Sequence, residues 1–217
     1  MQCWHLKNGT ETNNLFSMTT QSELLHPLLP GAKIPGDWFG GVIPPNIKAG
    51  TNTVVESSFS FKHFFSSLPV ALLVGDNVTL WRTAISTEEN GRIEIGDDCY
   101  ITNASLVCSE KITIGNRVFI AGGVTIADSD FHPLDPVLRL ADTIALSPIG
   151  DSKKRPQIKS KPVIIEDDVW IGFNATILKG VHIGAGAVIQ PGALVIENVP
   201  AGATVSGNPA KSVNENL

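Results

Sequence analysis

Residues Ile165–Asn198 read, in blocks of six, as IEDDVW IGFNAT ILKGVH IGAGAV IQPGAL VIEN. Each block opens on an aliphatic residue: Ile165, Ile171, Ile177, Ile183, Ile189 and Val195. Two positions earlier stand smaller side chains, Val169, Ala175, Val181, Ala187 and Ala193. Residues two apart on a strand face the same side, so each pair points into one interior. Three positions after the aliphatic come Asn174, Gly180, Gly186, Gly192 and Asn198. Glycine and asparagine tolerate positive φ, so a sharp corner belongs there. A short strand and a corner every six residues describe a polygonal coil, and three such sides close one turn in eighteen.

The same ruler runs upstream. It reads Ile95, Ile101 and Val107, takes a step of seven, and continues as Ile114, Ile120 and Ile126, with Cys99, Ser105, Val118 and Val124 as the small partners. Reading every third repeat gives three columns: Ile95, Ile114, Ile165, Ile183; Ile101, Ile120, Ile171, Ile189; and Val107, Ile126, Ile177, Val195. Stacked as parallel strands ~4.8 Å apart, these ladders form one continuous core. A β-sandwich rich in Ile and Val is the alternative, but its strands recur less regularly and at longer spacing. The expected fold is therefore all-β, a parallel β-helix solenoid of hexapeptide repeats. Val74–Leu80, with Asn77 at a corner, adds an earlier coil closing irregularly near Thr87–Gly91, and Ile47–Phe61 a rough first one. Residues 1–41 lack the rhythm and are expected to form an arm or cap, 42–213 the β-helix domain, and 214–217 a tail.

Composition narrows the function classes. The 217 residues are 42% hydrophobic and 17% charged, which is globular and the length of one domain. A formal net charge of −5 without a basic stripe argues against nucleic acid as a partner. No apolar run is long enough to span a bilayer, so no membrane association is expected. Three cysteines without CxxC spacing suit a reduced, cytoplasmic protein.

The ruler breaks at His132, one hexad after Ile126, and residues 133–162 leave the coil before Val163 resumes it. An excursion of that length in a compact solenoid is usually functional. A histidine at its root suits a general base, because an unperturbed imidazole titrates near neutrality. Asp128, Asp130 and Asp135 are candidates to orient the ring.

Blocks such as Ile114-Gly-Asn-Arg-Val-Phe, Ile120-Ala-Gly-Gly-Val-Thr, Ile171-Gly-Phe-Asn-Ala-Thr and Ile183-Gly-Ala-Gly-Ala-Val resemble the repeat of the hexapeptide acyltransferases. Asp130-Phe-His-Pro-Leu-Asp-Pro136, Asp167-Asp-Val-Trp-Ile-Gly172 and Gly207-Asn-Pro-Ala-Lys211 narrow the likeness to the maltose/galactoside O-acetyltransferase branch. The resemblance, and not the spacing, implies a left-handed coil, a homotrimer with each site between two subunits, and direct transfer from acetyl-CoA to a small hydroxyl- or amine-bearing acceptor. Acetyl-CoA or another acyl-CoA is then a co-substrate, and no tightly bound cofactor or metal is expected. His132 matches the catalytic base. Asn103, with a one-residue shift, matches the acceptor-binding asparagine, and Trp170 the tryptophan flanking the cleft. Phe173, Pro191 and Ile196 match the pantetheine track, and Lys211 a basic residue at the adenosine end. The Thr-Lys pair of the penultimate turn is here Ile196-Glu197, so an anion replaces a cation. Lys153-Lys154-Arg155 reads as a solvated loop tip. Two other classes compete: a non-catalytic solenoid scaffold, and a zinc carbonic anhydrase of β-helix type, which needs clustered histidines. Only His132 and His182 lie in or beside the coils.

Overall fold

The computed structural model describes residues 24–213; residues 1–23 of the expected arm and the 214–217 tail lie outside them. Successive short strands build three sheets, parallel apart from one strand at each edge of the largest, and through the coils the chain visits them in a fixed cycle. A six-stranded first side is followed by a nine-stranded second side and a five-stranded third side. Along one turn the strands Lys111–Ile114, Phe119–Ile120 and Thr125–Ala127 occupy the three sides in order. The columns stack as the hexads require. On the first side Ile114 lies between Ile95 and Ile165, and Ile165 is followed by Ile183. On the second, Ile101, Ile120, Ile171 and Ile189 are consecutive rungs. Their side chains are buried, and with the small partners they fill the inside of the coil.

One column needs correction. On the third side Ile126 pairs with Leu106, whereas Val107 pairs with Ala127. Leu106 and Ala104 are buried; Val107 and Ser105 face outward. The cause is a tightened corner. Asn103 takes the positive φ two residues after Ile101 instead of three, so the following strand starts one residue early. A slip of one residue exchanges the two faces of a strand, and the step of seven conceals it.

The first corner, between first and second sides, shows why acids and amides recur in the blocks. Asn77, Asp98, Arg117 and Asp168 adopt positive φ there. Beside them an oxygen of Asp76 accepts the N–H of Thr51 at 2.6 Å. Asp97 takes that of Asp76, Asn116 that of Asp97, and Asp167 that of Asn116, each at 2.8 Å. The ladder runs so close to the backbone that a Cβ on Gly96 would lie 2.5 Å from the Asn116 oxygen. Glycine in the second place of the block is here a matter of clearance.

Upstream, Leu72–Val74, Thr79–Trp81 and Ala84–Thr87 complete a regular coil. Before it, Ile47–Ala49 and Val54–Val55 supply two sides, and a 3-10 turn at Ser58–Phe61 stands in for the third. Leu28, Ile34 and Ile43 are buried over this end, and His26–Pro27 pairs antiparallel to Val54–Val55. At the opposite end Lys211–Ser212 pairs antiparallel to Thr204–Ser206. Short antiparallel strands thus close both edges of the second side, where an open parallel edge would invite further strands.

Candidate active site

The excursion contains a helix that the hexad ruler does not announce. Helix α1 spans Pro136–Leu146. Asp135 is its N-cap, accepting the N–H groups of Val137 and Leu138 at 2.9 Å, and Pro136 opens the first turn. An acidic cap followed by proline is a standard helix start. The Asp-Pro of the 130–136 motif is therefore structural. Arg139 ties the helix back to its entry by donating to the carbonyl of Leu134 at 2.9 Å.

The helix delivers Asp142 to His132. Nδ1 of His132 lies 2.6 Å from Oδ2 of Asp142, whose side chain is completely buried. A carboxylate only accepts, so Nδ1 carries a proton, and in the neutral ring Nε2 is left as the acceptor. The other carboxylate oxygen of Asp142 accepts from Nε of Arg155 at 2.8 Å. Arg155 in turn reaches Glu88 at 2.7 Å and the carbonyl of Phe131 at 3.3 Å. Burial pushes the Asp142 carboxyl up, but the hydrogen bonds from Arg155 and His132 outweigh it and hold the group below the usual carboxylate range. The sign follows: Asp142 stays ionised at neutral pH. Its contribution to anchoring the loop is complete above the unfolded value of ~3.9 and lost as pH falls through the lower folded one.

The three orienting candidates are all engaged elsewhere. Asp128 is buried and accepts the N–H groups of Ser109 and Glu110, each at 2.7 Å. Asp130 is paired with Lys179, and Asp135 caps α1. Within the 153–155 run Lys153 and Lys154 are exposed, as a solvated tip requires, and Arg155 is the correction: it is mostly buried, bonded to two acids. Asp142 had one visible signal. It is the single acid within an otherwise largely aliphatic stretch, Val137–Leu146. That helix buries Asp142 and Ala145 and leaves Val137, Leu140 and Ile144 exposed.

Within one chain the candidates fall on two corners. The second corner, between second and third sides, carries Asn103 and Phe173; both approach the open position over Gly122, at 3.7 and 3.8 Å from where a Cβ would lie. Pro191 stacks on the same corner, over Gly172. Trp170 is on the outer face of the second side, between Phe119 and Val188, and partly exposed. His132 belongs to the third corner, between third and first sides. Ile196 follows Leu194–Val195 onto that corner, and Lys211 pairs with Glu197 beside it at 3.2 Å. The structure therefore does not bring His132 to Asn103, nor Ile196 to Phe173 and Pro191, in a single chain. His182 is bonded to Glu166 at 2.7 Å. Among the described residues no three His, Cys, Asp or Glu side chains gather as a metal-ligand set, and no helix is long and apolar enough to cross a membrane.

Comparison with known proteins bears on the repeat and the coil. The six-repeat bacterial transferase hexapeptide family matches residues 162–197. Over 56 residues the chain is 57% identical to a 2,3,4,5-tetrahydropyridine-2,6-dicarboxylate N-acetyltransferase of Staphylococcus aureus, a match covering 26% of this chain and 23% of that enzyme. The chain thus spans about a quarter of that relative's length. Among solved structures, a hexapeptide-repeat acetyltransferase of Vibrio cholerae complexed with acetyl coenzyme A is 28% identical, with TM-score 0.52 over 71% of this chain and 73% of that one. A galactoside acetyltransferase in complex with coenzyme A is also 28% identical, with TM-score 0.54 over 68% and 66%. The chain carries the bacterial transferase hexapeptide repeat, on a coil shared with hexapeptide-repeat acetyltransferases that include galactoside acetyltransferase.

Proposed function

We propose that this chain is an acyl-CoA-dependent acyltransferase, moving an acetyl group to a hydroxyl or amine of a small acceptor. The observation that carries the reading is the His132–Asp142 pair. It fixes the imidazole with Nε2 free to accept a proton, at the root of the loop that interrupts the coil. A scaffold has no use for an oriented base. In the reaction, Nε2 takes the acceptor's proton as its oxygen or nitrogen attacks the thioester carbonyl. The tetrahedral intermediate then expels the thiolate: the carbon–sulfur bond breaks, the new carbon–oxygen or carbon–nitrogen bond remains, and the imidazolium returns its proton to sulfur.

The working unit is a homotrimer of left-handed coils with shared sites. His132 and the Gly122–Gly123 stretch belong to the same turn, so a threefold axis parallel to the coil puts one copy's third corner level with the next copy's second corner. Facing corners then offer His132 and Ile196 from one copy, and Asn103, Phe173 and Pro191 from the other. The third side between those corners suits close approach, since its outward residues Ser105, Val107, Thr125, Thr176 and Leu194 carry no charge. The exposed aliphatics of α1 also need a cover in water. For the donor, Phe173 and Pro191 offer an apolar wall to pantetheine. Lys211, already neutralised by Glu197, contributes less to phosphate binding than an unpaired lysine.

Two results test this. Sedimentation equilibrium is expected to give a trimer, and free thiol is expected to appear from acetyl-CoA only when an acceptor is present. A monomer at micromolar concentration overturns the shared site. Failure of acetyl-CoA to bind by calorimetry overturns the reaction. Asp142→Asn is expected to lower kcat by roughly 10–10²-fold with KM for acetyl-CoA little changed, because the ring loses its anionic orienter and the donor wall is untouched. Unchanged kcat in that variant removes the pair from the mechanism.

A further inference from the structure

The reaction proposed above leaves one heavily bonded side chain without a task. Arg155 uses each nitrogen of its guanidinium on a different partner: Nε donates to Asp142 at 2.8 Å, Nη1 to Glu88 at 2.7 Å, and Nη2 to the carbonyl of Phe131 at 3.3 Å. We infer that Arg155 is a positioning residue. It locks the orienting acid, the backbone preceding the base and the body of the coil into one frame, and so fixes the ring of His132. Its effect on turnover rests on the acyltransferase reading; its effect on the ring does not.

Glu88 supplies the fixed end of that frame. It follows the strand Ala84–Thr87, and its N–H donates to the Cys108 carbonyl at 2.9 Å. Ala84–Thr87, Ser105–Cys108 and Thr125–Ala127 are consecutive rungs of the third side. Glu88 and the root of the excursion therefore lie on the same corner, two coils apart. Arg155, 67 residues beyond Glu88, folds the excursion back along that corner and ties it to the regular coil. Its side chain is only 16% exposed, which shields these charge-assisted bonds from water and salt.

The third bond acts on the backbone that carries the base. Phe131 has a φ of 61°, in the left-handed region that bulky side chains rarely occupy. The N–H of His132 donates to the carbonyl of Asp130 at 2.7 Å, closing a tight three-residue turn about Phe131. Such a turn persists only where its surroundings hold it. On one side Asp130 is tied to Lys179, which follows Thr176–Ile177 on the next coil. On the other, Arg155 grips the Phe131 carbonyl. The turn sets the direction in which His132 leaves the chain, and Asp142 sets the rotation of its ring. Arg155 holds both.

Three partners in three directions require a planar fork. Lysine presents a single nitrogen and cannot span them. Without Arg155, one oxygen of the completely buried Asp142 carboxylate loses its cation. A buried charge stripped of a partner either takes up a proton or turns away. In both cases Nδ1 of His132 loses its anionic acceptor, and the neutral ring can carry its proton on Nε2 instead. A neutral ring protonated there has no lone pair left on Nε2 to take the acceptor's proton.

Nitrogen-15 NMR of the imidazoles in the full chain tests this at a pH where the ring is neutral, with no acceptor or acetyl-CoA needed. His132→Ala assigns the signal, and the parent is expected to hold its proton on Nδ1. In Arg155→Ala that tautomer is expected to lose its dominance, with kcat down roughly tenfold and KM for acetyl-CoA little changed. Arg155→Lys restores the charge without the fork and is expected to fall between the two. Glu88→Ala, which cuts only the tie to the coil, is expected to shift the tautomer the same way by less. Lys154→Ala, at the exposed neighbour, is expected to match the parent. The parent's tautomer in a folded Arg155→Ala overturns the proposal whatever the melting temperature, since Arg155 then only braces the loop. If Arg155→Ala does not fold, parent-like tautomers in both Arg155→Lys and Glu88→Ala overturn it. The two readings fail separately. An altered tautomer in Arg155→Ala, with no acyl transfer by the parent, supports the frame and removes the acyltransferase reading. Acyl transfer by the parent, with an unaltered tautomer in Arg155→Ala, does the reverse.

Discussion

Ile171→Asp is expected to lower the melting temperature by ~10 °C or more, or to prevent folding altogether. Ile171 is fully buried, and its rung lies between Ile120 above and Ile189 below, both also fully buried. Two losses add. Removing the aliphatic forfeits about 1.5–3 kcal/mol of burial. The carboxylate must then either stay charged without a partner or take up a proton, at a further cost of several kcal/mol. Against a total stability of about 5–15 kcal/mol that is a large share. Ile171→Val keeps the rung apolar and is expected to cost only about 0.5–1.5 kcal/mol. A thermal melt of both variants checks the column directly. If Ile171→Asp melts within a degree or two of the parent, Ile171 does not face the interior.

The coil was legible because its physics is periodic. A six-residue unit repeats one burial decision many times, so a single misread rung, Val107 for Leu106, leaves the architecture intact. That rung was hidden because a corner can lose a residue while the next segment absorbs the difference, and composition carries no mark of it. The candidate site was legible only at its root. His132 announced itself by occupying the place of an aliphatic, which is a departure from a pattern. Asp142 and Arg155 sit inside the excursion, where no pattern exists to depart from. They meet His132 through the fold of α1, ten and twenty-three residues on. The nearer acids, Asp128, Asp130 and Asp135, were each occupied by a local duty that proximity in sequence does not reveal: a buried set of backbone N–H groups, a lysine, and a helix cap.

The claim on which the account turns is that Nε2 of His132 accepts the acceptor's proton during transfer. Its side chain is more than half exposed, so His132→Ala removes little packing and the fold is expected to survive. Donor contacts assigned to Phe173 and Pro191 lie on the other corner, so affinity for coenzyme A, read by calorimetry, is expected to stay close to that of the parent. With an acceptor in hand, the single decisive measurement is kcat for His132→Ala against the parent under saturating acetyl-CoA. The account predicts a fall of ~10²–10⁴-fold with unchanged coenzyme A affinity. Turnover within about threefold of the parent contradicts it, as does lost coenzyme A binding in a folded variant, which would make the loop a part of the donor cleft instead of the seat of the base.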